Sequence, residues 1–201
     1  MRIQLRIVAG KLRGRKLNCL VGPGTRPTPQ MVREALFSIL GDAVPDRPFF
    51  DIFAGTGAIG LEAVSRGASL VIFVERDVSL AREIERHLRA FGVAEEAQIV
   101  RGDVYRWAER WRAPVEPVNV YVSPPFIDFE RQPEMLVRVL HQLQAKLAAG
   151  SVLALQAETG LQVEELPRAA EWEVRKYGRN LLVIWVKLAE PVSSRTDGER
   201  E

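Results

Sequence analysis

The sequence predicts an α/β fold with a mostly parallel, seven-stranded sheet and helices on both of its faces. From residue 49 to residue 155, short apolar runs alternate with segments in which apolar residues recur at helical spacing. Repeated strand–helix units of this kind form parallel sheets, because each helix crosses over the sheet between two strands. Two further strand candidates, at 171–176 and 181–187, are joined by a turn and predict an antiparallel edge.

An N-terminal β-hairpin is expected ahead of this sheet. Residues 3–9 and 12–17 alternate apolar with polar side chains, and two glycines and two prolines interrupt the segment 21–27 that follows. Thr28 is expected to cap the first helix, with Pro29 at its first position, where a missing N–H is tolerated.

The remaining elements can be placed along the chain from the same patterns. Strands are predicted to end at 51–53 and to span 70–74, 97–100, 118–122 and 152–155, and helices are predicted at 58–66, 77–91, around Trp107, and at 133–147. We therefore expect three parts: a basic hairpin and loop at 1–27, the α/β domain at 28–188, and a polar, disordered tail at 189–201.

The charge pattern of the first 33 residues differs from that of the rest of the chain. The whole chain has a formal net charge of only +2, but residues 1–33 contain no Asp or Glu. A basic segment of this kind is typical of a protein that meets a polyanion such as RNA, although a solvated surface hairpin would have the same composition. The candidate RNA-binding residues are Arg6, Lys11, Arg13, Arg15, Lys16 and Arg26.

Composition also disfavours several classes of protein. The single cysteine, Cys19, excludes an intrachain disulfide and a cysteine-rich metal centre, and no metal site is predicted. No apolar run approaches the length of a membrane span, and the N-terminus lacks the apolar core of a signal peptide. We therefore expect a cytoplasmic protein without a membrane partner.

A glycine turn after the first strand of the α/β domain is the strongest candidate for a cofactor site. Gly55, Gly57 and Gly60 have Gly-x-Gly-x-x-Gly spacing. Glycines at this spacing let a ligand approach the backbone closely, and the helix that follows points unpaired N–H groups at the ligand. The turn by itself does not identify the cofactor.

Acidic residues at the strand ends bear on which cofactor binds. Glu75 follows the second strand at the spacing expected of a carboxylate that binds ribose, and Asp103 is placed to accept from an adenine amine or to cap the next helix. NAD and S-adenosylmethionine fit these two features almost equally. Asp51 favours S-adenosylmethionine, because a carboxylate beside the turn suits a sulfonium and an ammonium group but not a pyrophosphate. The residues expected to bind the cofactor are Asp51, Phe53, Ala54, Gly55, Gly57, Glu75, Arg76, Asp103, Val104 and Ser123.

A Ser-Pro-Pro-Phe sequence follows the fourth strand of the α/β domain and is the candidate catalytic segment. It resembles the motif of methyltransferases that act on exocyclic amino groups of bases. Ser123 and the carbonyl of Pro124 would accept from the amine N–H groups and direct its lone pair towards a methyl group, while Phe126 would stack on a flipped-out base. The structural alternative is a rigid loop with Phe126 in the core.

Further segments are similar to the bacterial 16S ribosomal RNA guanine-N2 methyltransferases (the RsmD family). The resemblance implies a Rossmann-like class I fold and S-adenosylmethionine-dependent methylation of a guanine N2 amino group. It also implies 16S rRNA or the assembling small subunit as the partner of a monomeric enzyme. The segments that carry it are 7–17, 26–28, 32–37, 51–68, 73–75, 177–178 and 181–182, so that it covers about residues 6–188.

One residue departs from the pattern of this family. The motif usually begins with Asp, and here it begins with Ser123. A hydroxyl is a weaker acceptor than a carboxylate, and nearby Asp128 is a candidate to compensate. Two alternatives therefore stay open: an amino-methyltransferase of adenine or cytosine in DNA, and an RNA-binding assembly factor with little or no catalytic activity. An NAD-dependent oxidoreductase is disfavoured, since nothing resembles a hydride-transfer site.

Overall fold

The computed structural model describes residues 1–22 and 27–189. The expected RNA contact Arg26 lies outside these residues. The tail expected at 189–201 also lies outside them, apart from Ala189.

Nine strands and six α-helices form within the described part of the chain. The strands are β1 (Arg2–Arg6), β2 (Lys16–Leu20), β3 (Phe49–Ile52), β4 (Val71–Glu75), β5 (Ala97–Arg101), β6 (Asn119–Val122), β7 (Val152–Glu158), β8 (Glu173–Tyr177) and β9 (Asn180–Val186). The helices are α1 (Gln30–Leu40), α2 (Ala58–Ser65), α3 (Val78–Phe91), α4 (Val104–Arg110), α5 (Phe126–Arg131) and α6 (Pro133–Lys146). None of these helices is both long and apolar enough to cross a membrane.

The seven strands from β3 to β9 form one sheet in the order β5-β4-β3-β6-β7-β9-β8. Strands β3 to β7 pair in parallel, and β9 pairs antiparallel with β7 and β8. This confirms the expected mostly parallel sheet with an antiparallel edge. The chain leaves β3 for β4 and β5 on one side and returns to β6 on the other, so the strand order reverses at β3, where α/β sheets bind their ligands.

Apolar side chains cover both faces of this sheet. One buried cluster includes Leu61 and Phe73 and joins the hairpin with α1, α2 and α3, and a second includes Phe50 and Leu140 and joins α4 and α6 to the other face. Helix α2 lies so close to the sheet that a Cβ at Gly60 would overlap the Phe73 ring. The third glycine of the turn is therefore required for helix–sheet packing.

The N-terminal hairpin is present, but its second strand was placed wrongly from the sequence. Residues 12–17 were expected to form it, whereas β2 begins at Lys16 and residues 7–15 form a loop between the strands. The loop is fixed to α2: Lys11 N–H donates to Ser65 O at 2.8 Å, and Leu12 N–H donates to Ser65 Oγ at 2.9 Å. Tertiary hydrogen bonds thus override the alternating pattern.

Gly10 makes this approach possible. It has a φ of +77°, and a Cβ built on it would overlap Ser65 O. Next to it, the Glu62 carboxylate accepts from the N–H groups of Val8 and Ala9 at 2.8 and 3.0 Å. The hairpin therefore shares its core and its hydrogen bonds with the α/β domain.

Two further expectations were wrong in detail. Thr28 does not cap α1: Pro29 occupies the cap position without a side-chain hydrogen bond, and the Thr28 hydroxyl bonds to groups on β6 and β7 instead. In addition, β7 extends to Glu158 instead of ending at 155. Helix α5, which was not predicted, follows the two prolines. Each of these differences places side chains around the cavity described next.

Candidate active site

A cavity of about 720 Å³ lies at the carboxyl ends of β3, β4 and β6, and we call it the central cavity. Its wall contains the glycine turn between β3 and α2 and the Ser-Pro-Pro-Phe segment after β6. The structure thus brings the candidate cofactor site and the candidate catalytic segment to one cavity. Its volume lies within the range of small-molecule and cofactor sites.

The glycine turn takes unusual backbone angles where it borders the cavity. Phe53, Gly55 and Gly57 have φ values of +62°, +54° and +70°. A Cβ at Gly57 would lie 2.7 Å from Ile84 Cγ1, whereas a Cβ at Gly55 would meet only Phe53 O, at 3.9 Å. Gly57 is therefore needed for packing on α3, and Gly55 leaves open space beside the turn that a ligand can use.

Asp51 lies at the end of β3 and is 2% exposed. Its Oδ2 accepts a hydrogen bond from Gly60 N–H at 2.8 Å, so the carboxyl group holds the first turn of α2. Burial raises the pKa of this carboxyl from 3.8 to about 8, and the hydrogen bond from Gly60 offsets only part of that effect. Asp51 also lines the central cavity, where a cation would favour its ionised form.

Glu75 ends β4 and reaches back to the glycine turn. Its Oε2 accepts from Gly55 N–H at 2.7 Å, and its Oε1 accepts from Asp77 N–H at 2.7 Å. Each carboxylate oxygen has two lone pairs, so two backbone donors leave acceptor capacity for the hydroxyls of a ribose. The residue therefore shapes the turn and faces the cavity at the same time.

Asp103 caps α4, accepting from Arg106 N–H at 3.2 Å. Its other oxygen lies 3.9 Å from Arg76 Nη1. Arg76 and Val104 line the central cavity, but Asp103 is not among the described residues that do. Of the two roles considered for Asp103, the structure shows the helix cap.

The catalytic segment begins directly after β6. Ser123 and Pro124 line the cavity, and Pro125 precedes Phe126, the first residue of α5, which also lines it. Asp128 was a candidate to compensate for Ser123, but it is 5% exposed and its Oδ2 accepts from Tyr105 OH at 2.7 Å. It is absent from the described lining of the cavity, so its carboxylate is directed at α4.

A buried polar cluster behind Ser123 was missed by the sequence reasoning. The Gln156 side-chain oxygen accepts hydrogen bonds from Thr28 Oγ1 at 2.7 Å, from Tyr121 OH, and from Ser123 Oγ at 3.4 Å. One signal was available: Gln156 interrupts the otherwise apolar run 152–157 of β7. Tyr121 and Thr28 gave no such signal, since one fits a buried strand and the other fits a helix cap.

The basic residues of the hairpin divide into two groups. Lys11 forms an ion pair with Glu96, and the Arg15 guanidinium lies 4.8 Å from the centre of the Phe91 ring. These two side chains attach the hairpin loop to the end of α3 and to the turn that precedes β5. The other described candidates are Arg6, Arg13 and Lys16, and all five of these side chains are exposed.

Comparison with known proteins identifies the family. The family model described as "Conserved hypothetical protein 95", which represents the RsmD family, matches residues 5–186. The chain belongs to this family. The expected family is thereby confirmed over nearly the whole described chain.

Individual relatives agree with this assignment. The RsmD-family chain is 37% identical over 123 residues to Ribosomal RNA small subunit methyltransferase D of Escherichia coli. It spans 61% of the length of that relative and 55% of the length of the Bacillus subtilis protein YlbH. The solved structure of yhhF from Escherichia coli superposes with a TM-score of 0.74 at 29% identity, covering 93% of this chain and 99% of that one.

A more distant structure shares the fold. An RNA methyltransferase from Salinibacter ruber, solved with S-adenosyl-L-homocysteine, superposes with a TM-score of 0.56 at 17% identity, covering 84% of this chain and 97% of that one. The fold of this RsmD-family chain is therefore the Rossmann-like fold of S-adenosylmethionine-dependent methyltransferases, as expected.

Proposed function

We propose that this RsmD-family chain transfers a methyl group from S-adenosylmethionine to the exocyclic N2 amino group of a guanine in 16S rRNA. The observation that carries the proposal is the arrangement of the central cavity. The Ser-Pro-Pro-Phe segment and the glycine turn with Asp51 border the same cavity at the reversal point of the sheet. The names of relatives such as the Escherichia coli small-subunit rRNA methyltransferase support rRNA as the substrate.

The residues at the glycine turn fit the cofactor. Gly55 leaves open space at the turn, Glu75 has acceptor capacity for ribose hydroxyls, and Asp51 supplies a buried acid for the cationic end. Phe53, Ala54, Arg76 and Val104 complete this wall of the cavity. We propose that Asp103 contributes through its contact with Arg76.

The residues at the other wall of the cavity would act on the base. When bound, S-adenosylmethionine supplies a methyl group on a sulfonium, so that the new N–C bond forms as the S–C bond breaks and the amine proton leaves to solvent. Ser123 Oγ and the carbonyl of Pro124 accept from the amine N–H groups and hold its lone pair in line. Phe126 stacks on the base, which must leave its helix to reach the cavity.

The exposed cations of the hairpin would bind the RNA backbone. We propose that Arg6, Arg13 and Lys16 contact phosphates, joined by Arg26, while Lys11 and Arg15 mainly anchor the loop. In this division, residues 1–27 extend an α/β methyltransferase domain at 28–188. We propose that the chain acts on this substrate as a monomer in the cytoplasm.

A methyl-transfer assay tests the proposal. The full chain is incubated with S-adenosylmethionine labelled at the methyl group and one of three substrates: deproteinised 16S rRNA, small subunits from cells that lack the activity, or duplex DNA. We expect label in the 16S rRNA of at least one of the first two. Label only in DNA would favour the DNA amino-methyltransferase, and RNA binding without transfer would favour the assembly factor.

A further inference from the structure

Gln156 lies directly behind the catalytic segment, on β7, and is 2% exposed. Its side-chain nitrogen donates to Asn180 Oδ1 at 3.0 Å. This contact fixes the orientation of the amide group, so that its oxygen faces the hydroxyls of Thr28, Tyr121 and Ser123. An amide oxygen only accepts hydrogen bonds, so a hydroxyl that bonds to it must be the donor.

The tyrosine of the cluster stays protonated. Burial raises the pKa of Tyr121 well above its usual value, and its OH donates to the Gln156 oxygen. The Ser123 hydroxyl lies within reach of both Gln156 and Tyr121. Both are acceptors that lie behind Ser123: the Tyr121 oxygen keeps a lone pair when its OH donates to Gln156, and the Gln156 oxygen lies 3.4 Å from Ser123 Oγ. The Ser123 proton is therefore drawn away from the central cavity.

We propose that Gln156 is a positioning residue that takes the Ser123 proton in a hydrogen bond and thereby makes Ser123 Oγ an acceptor towards the substrate amine. This inference rests on the proposed function. It explains how a hydroxyl serves where related enzymes have a carboxylate. A freely rotating hydroxyl can donate or accept, and only the accepting orientation helps to direct the lone pair of the amine. A carboxylate needs no such control, because it has no proton to turn away.

A double-mutant cycle on methyl transfer tests the inference. Gln156→Met keeps the side-chain volume and removes the hydrogen bonds. In the presence of Ser123 we expect Gln156→Met to lower kcat about tenfold, with little change in cofactor Kd. Tenfold is the loss expected when the one hydrogen bond that orients the Ser123 hydroxyl is removed. In the Ser123→Ala background, we expect Gln156→Met to cause no further loss, because the hydroxyl that it orients is absent.

Two more variants separate positioning from a structural role. In the Ser123→Asp background we expect Gln156→Met to change kcat less than twofold, since a carboxylate accepts in any orientation. Gln144→Met is the matched control: Gln144 is also 2% exposed, lies on α6, and is not among the described residues lining the central cavity. Its substitution is expected to leave kcat unchanged. Equal losses from Gln156→Met in all three Ser123 backgrounds would overturn the proposal.

Thermal unfolding of the wild type, Ser123→Ala, Gln156→Met and the double variant provides a readout that needs no substrate. If Ser123 donates to Gln156, the Tm shifts of Ser123→Ala and Gln156→Met are not additive, because each removes the same hydrogen bond. Additive Tm shifts would overturn the proposal even if the wild type methylates no RNA. Non-additive Tm shifts in a chain without methyl transfer would instead contradict the proposed function alone.

Discussion

Replacing Asp51 with Asn tests whether this carboxyl group recognises the cationic cofactor or only holds α2 in place. Asn can still accept from Gly60 N–H, which lies 2.8 Å from Asp51 Oδ2, but it carries no charge. We therefore expect Asp51→Asn to stay folded and to bind S-adenosylmethionine more weakly. A hydrogen bond to a charged group contributes roughly 1.5–3 kcal/mol, which corresponds to a Kd raised about 10- to 150-fold at pH 9, where the wild-type carboxyl is ionised.

The pKa of Asp51 predicts how this effect depends on pH. With a pKa of about 8, roughly one-tenth of the carboxyl is ionised at pH 7 and roughly nine-tenths at pH 9. Because the cationic cofactor favours the ionised form, the affinity of the wild type relative to Asp51→Asn should rise about tenfold between these pH values. Taking the ratio of the two affinities at each pH cancels the effect of the cofactor's own amino group, which titrates equally in both experiments.

Isothermal titration calorimetry measures both quantities. Repeating the titration at pH 7 in buffers of different ionisation enthalpy gives the number of protons released when the cofactor binds. We expect the wild type to release close to one proton more than Asp51→Asn. Asp51→Leu is the control that removes the acceptor for Gly60 N–H as well. An affinity ratio that is constant from pH 6 to pH 9, with no difference in proton release, would show that Asp51 does not ionise when the cofactor binds.

Further predictions follow from the same structure. Phe126→Ala should abolish methyl transfer and spare cofactor affinity, and calorimetry showing equal loss of both would remove the stacking role. Replacing Arg13 and Lys16 with Ala should weaken RNA binding and reduce its salt slope by about 0.7–0.9 per lost phosphate contact, whereas Arg112→Ala, which removes an exposed cation between α4 and β6, should change neither. Gly10→Ala should lower the free energy of unfolding, measured in urea, by about 3 kcal/mol or more, because the new Cβ would overlap Ser65 O. Gly14→Ala is the control: Gly14 has a φ of +83° but open space around it, so the substitution should cost only about 1 kcal/mol. Equal losses would show that the overlap with Ser65 is not the cause.

The pH dependence of the free energy of unfolding provides a further test. In the cofactor-free protein the Asp51 carboxyl keeps its proton up to about pH 8, whereas the unfolded chain loses it near pH 4. The stabilising contribution of the neutral carboxyl is thus fully present below pH 4 and is lost as the pH rises towards 8. Urea unfolding of Asp51→Asn should lack this decline, and an identical pH profile in both proteins would count against a neutral Asp51.

Most of the fold could be predicted from the sequence, because the local hydrophobic pattern agrees with the tertiary structure from β3 to β6. The apolar runs at β3 to β6 and the helical periods between them follow from burial on both faces of a parallel sheet. The hairpin loop was placed wrongly because its course depends on Ser65 and Glu62, more than 50 residues away along the chain. No local pattern reports such contacts.

The candidate site could be predicted only in part for the same reason. The strand-end residues Asp51, Glu75 and Ser123 are visible because chain order places them at one edge of the sheet. The cluster around Gln156 is not visible, because it joins side chains that are 33 and 128 residues apart in sequence. Its members became recognisable once β6 and β7 were known to be neighbours.

Identifying the methylated nucleoside tests the proposed methyl transfer to a guanine N2 most directly. Small subunits from cells that lack the activity are incubated with the full chain and S-adenosylmethionine, the 16S rRNA is digested, and the nucleosides are analysed by mass spectrometry. We expect one new N2-methylguanosine per 16S rRNA, which is absent with Phe126→Ala. A methyl group on adenine or cytosine, or no methylation of RNA by a folded protein that binds the cofactor, would contradict it.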